Sequence, residues 1–305
     1  MARILAVFIG LVLLGCERSP VPEPPPSAAD ATPAGEVAEP ATGNASDRLA
    51  EVLAAQSDEV QARYPYRHPE ETLKFFGIEP GMTAVEALPG RGWYSRLLVP
   101  YLGADGRLIG ANYAHEMWPK FGFFGQAFID SMTTWTTDWP AEAGEWHGVD
   151  GATVEAFNFG SMPVALEGQA DAVLLIRALH NLARFEGDGG FLTSALNDVR
   201  RVLKPGGIVG VVQHEARPDM SDDWAGGARG YLKKQFVIDR MSEAGFDFVA
   251  DSDINENPND RPTEEDIVWR LPPSYTTSRD DPEKRAAMEA IGESHRMTLK
   301  FRKPH

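Results

Sequence analysis

Two histidines stand where apolar runs stop. Ala170 to Ile176 is an almost unbroken apolar run, as a strand buried on both faces should be, and it ends in Arg177-Ala178-Leu179-His180-Asn181. A second run, Ile208 to Val212, ends in Gln213-His214-Glu215. An imidazole titrates near neutrality and can take the proton of an attacking nucleophile, so His180 is the first candidate for a general base. Glu215 can orient a histidine or accept a proton itself. The plain structural alternative, a strand-end histidine that hydrogen-bonds a loop carbonyl, explains the same residues equally well. His180, His214 and Glu215 also have the composition of a two-histidine, one-carboxylate metal site. Nothing in their spacing favours that, and no metal is expected.

Such groups need elements that bring them to one place. The stretch Met82 to Ser95, MTAVEALPGRGWYS, reads as strand, glycine turn and helix: β-branched Thr83 and Val85, an acid at Glu86, the turn Leu88-Pro89-Gly90-Arg91-Gly92, then an amphipathic start. In open α/β sheets this first turn holds a nucleotide-like ligand, because glycine lets the backbone approach and the helix N-terminus presents free N–H groups. A dinucleotide fingerprint needs a third glycine where Ser95 stands, which makes NAD a poor match. Gly106 to Asn112 is the second strand, with Asn112 where a carboxylate would grip ribose hydroxyls; an amide can accept from one hydroxyl and donate to the other, without a charge. His115 and Glu116 follow, as exposed loop residues.

Further strands are expected at Thr153 to Phe157, Phe246 to Ile254 and Met297 to Arg302. Helices are expected from Ser46 or Asp47 to about Arg63, from Pro69 to near Gly77, at Trp93 to Tyr101, at Phe191 to Leu203 and at Tyr231 to Ala244. Met117 to Trp146 is rich in aromatics, for which packing on the sheet is the favoured explanation over a ligand cap. The long stretch from Asn255 to Arg296 exceeds ordinary loop lengths and is a candidate lid or substrate loop.

Glu86, Gly90 and Gly92 fall on three landmarks of motif I of class I S-adenosylmethionine-dependent methyltransferases, with Leu88 where that family has its first glycine. A second motif, Arg201-Val-Leu-Lys-Pro-Gly-Gly207, resembles the same class, in which it precedes the fifth strand. The segments Asn257-Pro-Asn-Asp260, Trp269-Arg-Leu-Pro-Pro273 and Ile291-Gly-Glu-Ser-His-Arg-Met-Thr-Leu299 resemble the tail of a group of secreted bacterial predicted methyltransferases. That resemblance covers the chain from about Tyr64 onward and brings no substrate with it. It implies a Rossmann-like α/β fold: a seven-stranded, mostly parallel sheet with an antiparallel last strand and helices on both faces. It also implies S-adenosylmethionine as cofactor. Carried onto this sequence, the cofactor site is Glu86, Leu88, Pro89, Gly90, Gly92, Asn112 at the ribose, Asn158 at the adenine, and Arg177. His180, His214 and Glu215 are then the catalytic candidates beside the methyl group.

The first residues have a different character. Arg3 followed by an apolar run from Ile4 to Leu14, too short to span a bilayer, reads as a signal peptide over residues 1–15. Leu13-Leu14-Gly15-Cys16 resembles the lipobox of bacterial lipoproteins, which makes Cys16 the expected lipidated first residue of the mature chain. It is the only cysteine, so no disulfide forms within a monomer. Glu17 in place of Asp favours the outer membrane, facing the periplasm. From residue 16 to 45 the Pro, Ala and Glu composition cannot bury enough surface to fold, leaving a tether with a contour of roughly 95 Å at about 3.3 Å per residue. Residues 46–305 are long enough for one large α/β domain. With 29 basic and 45 acidic residues the net charge is −16, which argues against nucleic acid or an anionic bilayer face as partner.

The expected function is therefore an envelope-anchored methyltransferase with an unknown small-molecule or envelope acceptor. Two alternatives stay open: a non-catalytic methyltransferase-like binding or envelope-assembly module, favoured by the cytoplasmic origin of S-adenosylmethionine, and an NAD-linked oxidoreductase.

Overall fold

Strands β1 (Thr83–Ala87), β2 (Arg107–Asn112), β3 (Thr153–Asn158), β4 (Ala170–Ile176), β5 (Leu203–His214), β6 (Asp247–Ser252) and β7 (Arg296–Arg302) form one sheet in the order β3-β2-β1-β4-β5-β7-β6. This is a computed structural model; it describes residues 42–146 and 150–305. The signal peptide, Cys16 and nearly all of the tether lie outside the described residues. Among the described residues no helix is long and apolar enough to cross a membrane.

The first five strands in this order, β3 to β5, are mutually parallel, while β7 enters antiparallel between β5 and β6. This is the seven-stranded, mostly parallel sheet that the sequence led one to expect, and β7 sets it apart from the dinucleotide arrangement. The strand order reverses beside β1, whose neighbours are β2 and β4. A crevice outside the carboxyl ends of β1 and its neighbours follows from that reversal.

Alternation along the strands explains why helices cover both faces. Val85, Ile109, Val173, Leu175, Val209 and Val211 point into one core with the helices Phe191–Val202 and Lys234–Glu243. Their neighbours Ala84, Leu108, Ala172, Leu174 and Val212 point into the other, with Thr42–Ala54, Pro69–Phe76, Ser95–Leu102 and Trp135–Gly144. Two glycines let aromatic rings lie flat on the sheet. A Cβ on Gly210 would stand 2.6 Å from the Phe76 ring, and one on Gly110 would stand 2.5 Å from Trp139.

Three elements differ from the sequence expectation. The first helix ends at Ala54 rather than near Arg63, because Ser57 turns extended (ψ 156°) and short helical turns follow at Asp58–Gln61 and Tyr64–Arg67. The Lys204-Pro-Gly-Gly207 segment does not precede β5 but belongs to it, through a register shift against Ala170 and Ala172. The long stretch before β7, longer than an ordinary loop, has helical elements and buried polar contacts of its own. Arg270 pairs with Asp260 at 2.6 Å and donates to the Tyr231 hydroxyl at 2.8 Å, and all three are buried. A helix at Pro282–Ile291, capped by the Asp281 carboxylate, fills its far end.

Of the aromatic segment, Met117, Trp118 and Phe121 pack in the core, as favoured, while Phe123 stays exposed. The rings on glycine give a stability test. Phe76→Ala should cost about 3–5 kcal/mol in chemical denaturation, and Gly210→Ala about 1–3 kcal/mol by displacing the ring. Shortening the ring as Phe76→Leu should recover part of the Gly210→Ala loss; simple additivity of the two would rule out the direct contact.

Candidate active site

The glycine turn opens the crevice. Glu86 at the end of β1 is buried and accepts a hydrogen bond from the Ser95 hydroxyl at 2.6 Å. Burial pushes its carboxyl up to about 7, against the opposing effect of the Ser95 hydrogen bond and the Arg177 charge. Leu88 adopts φ +54°, the left-handed region that favours glycine, and its N–H donates to the Ala111 carbonyl at 2.7 Å. That is the position where the motif has glycine, so the backbone keeps the motif's bend at a strain of roughly 1–2 kcal/mol. The leucine side chain packs on the core that contains Val85 and Ala87. Pro89 beside it is buried. Gly90, at φ +58°, faces open space: a Cβ there would meet only the Leu88 carbonyl, at 3.9 Å. Gly92 is covered, its Cβ position overlapping the Trp146 indole, over which the Arg96 guanidinium lies at 4.3 Å. A ligand therefore has room at Gly90 and none at Gly92.

At the tips of β2 and β3, Asn112 and Asn158 are register partners. The Asn112 carboxamide oxygen accepts the Tyr113 N–H at 2.8 Å. That of Asn158 is buried and has no hydrogen-bond partner among the described residues, and neither has Nδ1 of His115. A buried acceptor left unmet costs about 1–3 kcal/mol, which a ligand N–H donor would recover. His115 was expected to be exposed; its Nδ1 is not, whereas Glu116 is exposed. Gly90, Asn112 and Asn158 thus fit an adenosyl group: space at the turn, amides at both tips, one orphaned acceptor.

Across the switch point, His180 and His214 come together, with ring centroids 5.6 Å apart and both rings buried. His180 Nδ1 lies 3.4 Å from Gln213 Oε1, while Gln213 Nε2 donates to the Gly230 carbonyl at 2.9 Å. Because the amide nitrogen is engaged, its oxygen faces His180, which places the proton on Nδ1 and leaves Nε2 to accept. His214 Nδ1 lies 2.5 Å from the Ser294 hydroxyl. Burial pulls His180 down to about 4 and His214 well below its usual range, so both are neutral at pH 7. Asn181 donates to the Tyr113 hydroxyl at 2.9 Å. Glu215 turns elsewhere, its carboxylate 3.7 Å from His295 Nε2 and 3.8 Å from Lys234. Among the described residues no three His, Cys, Asp or Glu side chains are grouped to hold a metal ion.

Arg177 begins a cluster that sequence reasoning missed. Its φ is +57° and its N–H donates to the Val212 carbonyl at 2.6 Å, which anchors the tip of β4 to β5. Its guanidinium lies within electrostatic reach of Glu293, Arg296, Tyr94 and Arg63. Glu293, itself buried, takes Arg67 Nε at 3.0 Å, Arg296 Nη1 at 3.1 Å and the Arg63 guanidinium. Burial raises the Glu293 carboxyl, but Arg296, Arg67, Arg177 and Arg63 outweigh it and hold the group at about 2. A cavity of 260 Å³ adjoins, lined by Tyr66, His68, Asn255, Asn257, Glu293 and Arg296 among others. The sequence pointed to Arg177 only as a cofactor residue and to Glu293 and Arg296 only as part of the Ile291 to Leu299 segment; Arg63 and Arg67 carried no signal.

No protein-family model matches the chain, and no curated protein matches it in sequence. Solved structures do share its trace. A SAM-dependent methyltransferase from Aquifex aeolicus is 13% identical with a TM-score of 0.47, over 83% of this chain and 97% of that one. The 1,6-didemethyltoxoflavin-N1-methyltransferase of Burkholderia thailandensis, solved with S-adenosylhomocysteine, is 14% identical with a TM-score of 0.41, over 89% and 93%. The cyclase SpnF is 16% identical with a TM-score of 0.45, over 78% and 80%. Likenesses this distant say nothing of what this chain does.

Proposed function

We propose that this chain is an S-adenosylmethionine-dependent methyltransferase, anchored in the bacterial cell envelope through a lipid on Cys16. The observation that carries the reading is the orphaned Asn158 carboxamide oxygen, buried at the tip of β3 beside Asn112, at the same end of the sheet as the open turn at Gly90. Bound there, S-adenosylmethionine supplies a methyl carbon made electrophilic by its sulfonium.

The chain's own residues do the rest. Gly90 leaves the room, Asn158 accepts an N–H from the purine, and Asn112 serves the ribose side with an amide in place of a carboxylate. His180 and His214 are the proton-handling pair. Burial keeps His180 unprotonated at neutral pH, with Gln213 fixing its tautomer so that Nε2 can take a proton from the acceptor. Glu215 acts on His295 rather than on these two. The anchor follows from the lipobox-like Leu13-Leu14-Gly15-Cys16 and the Pro/Ala-rich tether behind it, with Glu17 favouring the outer membrane.

One feature favours a second reading, a non-catalytic binding module: the Trp146 indole covers Gly92, and Leu88 replaces a motif glycine. Calorimetric titration of the full chain separates the two. S-adenosylmethionine and S-adenosylhomocysteine should both give saturable heat and NAD none. Asn158→Leu should weaken the binding by roughly tenfold, the worth of one buried hydrogen bond. Absence of heat with both sulfur ligands would leave the binding module standing.

Glu86 makes the site's stability depend on pH. Its folded value of about 7 lies above the unfolded value of 4.5, so the protein binds this proton more tightly when folded. The contribution is present in full below pH 4.5 and is lost as pH rises through 7. Since 2.5 pH units separate these two values, the loss amounts to roughly 3 kcal/mol. The stability difference between wild type and Glu86→Gln, followed by urea denaturation, should fall by about that amount from pH 4 to 8. A flat difference would show that folding leaves the Glu86 pKa where it is in the unfolded chain.

A further inference from the structure

Three guanidinium groups, of Arg63, Arg67 and Arg296, converge on the single carboxylate of Glu293, and that of Arg177 lies within electrostatic reach of it, a surplus of three positive charges. The surplus is not at the protein surface. Arg67 is 5% exposed, Arg296 2% and Glu293 3%, and Arg177 is half-buried. Taking uncompensated charge out of water costs several kcal/mol per ion, so buried charges are ordinarily matched. The neighbouring His180 and His214 are neutral, burial pushes Glu86 up to about 7, and Glu256 and Glu289 line the adjoining cavity rather than pairing with these arginines.

The four arginines do not hold equal positions. Arg67 lies flat on Trp93, its Cζ 4.5 Å from the ring centroid, with Nε on Glu293. Arg296 is spent on Glu293 and on the carbonyls of Ser294 and Tyr66. Arg177 alone forms no side-chain ion pair among the described residues, although it sits between this cluster, Glu86 and the histidine pair. Its fork of donors is free for a planar or tetrahedral oxyanion. The 260 Å³ cavity touches the cluster at Arg296 and Glu293.

We propose that Arg63, Arg67, Arg177 and Arg296 form the binding site for the oxyanion, carboxylate or phosphate, of a small acidic ligand, which is the methyl acceptor of this enzyme. The second half of that statement rests on the methyltransferase reading. An acidic acceptor suits a site that must also receive a sulfonium, since each positive charge added beside this cluster makes an anion more welcome. It also explains how a chain of net charge −16 draws in an anion: the favourable field is confined to the interior of the crevice.

The test is titration of the full chain with inorganic phosphate in one arm and succinate in the other. It is read by calorimetry, and repeated with S-adenosylmethionine at saturation. The expected result is saturable binding in at least one arm, whose preference identifies phosphate or carboxylate as the recognised group. Binding should weaken roughly tenfold or more in Arg177→Met and in Arg63→Gln. Arg63 stands at the more exposed edge of the cluster, so its substitution keeps the test valid should the first variant misfold. Saturating S-adenosylmethionine should leave the anion affinity unchanged or tighten it. Mutual displacement of anion and cofactor would overturn the proposal by giving the arginines to the cofactor's own carboxylate. Equal binding by the variants, or no binding in either arm, would overturn it as well. Anion binding that is lost in the variants, in a chain that takes up no S-adenosylmethionine, would uphold the anion site and remove the methyltransferase reading alone.

Discussion

One buried carboxylate ties together parts of the chain that the sequence keeps far apart. Glu293 receives Arg63 and Arg67 from the turns before β1, over 230 and 226 residues, and Arg296 from the start of β7. Removing one member of a buried ion pair typically costs about 3–5 kcal/mol, because the remaining charge is stranded. A group of one acid and several bases is more demanding still. It holds only while those arginines keep their places, so the N-terminal turns and the entry to β7 are bound to one arrangement.

The antiparallel insertion of β7 makes that arrangement possible. A strand parallel to β5 would bring its own carboxyl end to the crevice. Running the other way, β7 brings its first residue instead, and Arg296 falls opposite His214 in the β5 ladder. The residues just before it, Glu293 to His295, are thereby delivered to the tips of β4 and β5. Ser294 meets His214 and His295 meets Glu215. The approach to the last strand thus furnishes one wall of the site, and the buried Arg270, Asp260 and Tyr231 contacts hold that approach still.

How far the sequence could be read follows from which interactions are local. The strands of the sheet were visible because burial on two faces demands unbroken apolar runs, and β4 shows this most plainly. The glycine turn was visible because positive φ selects residue types, though Leu88 shows that the selection can be overridden where a side chain finds a core to pack on. His180 and His214 could be nominated because they sit at strand ends, and the fold does place them together. Glu215 is one residue beyond His214 and points away, as period two along an extended chain requires. The arginine cluster was not legible, since nothing local distinguishes Arg63 or Arg67 from solvent-facing helix residues. Only the fold over more than two hundred residues gives them a common partner. Trp146 over Gly92 was hidden for the same reason.

The two sides of the switch point then differ in kind. On the β1 to β3 side stand the neutral amides Asn112 and Asn158 at the strand tips and the Glu86 carboxyl, which burial pushes up to about 7. On the β4 to β7 side stand arginines around Glu293, beside two imidazoles that burial keeps neutral. Neutral amides match an uncharged heterocycle by hydrogen-bond geometry and give up little when water leaves. Guanidinium groups match an anion, and their pull grows as the local dielectric falls. Under the proposed function, such a division sorts cofactor from acceptor by charge before it sorts them by shape. The imidazoles stand on the charged side, where burial and the neighbouring arginines hold them neutral, so that any proton they take must be passed on rather than kept.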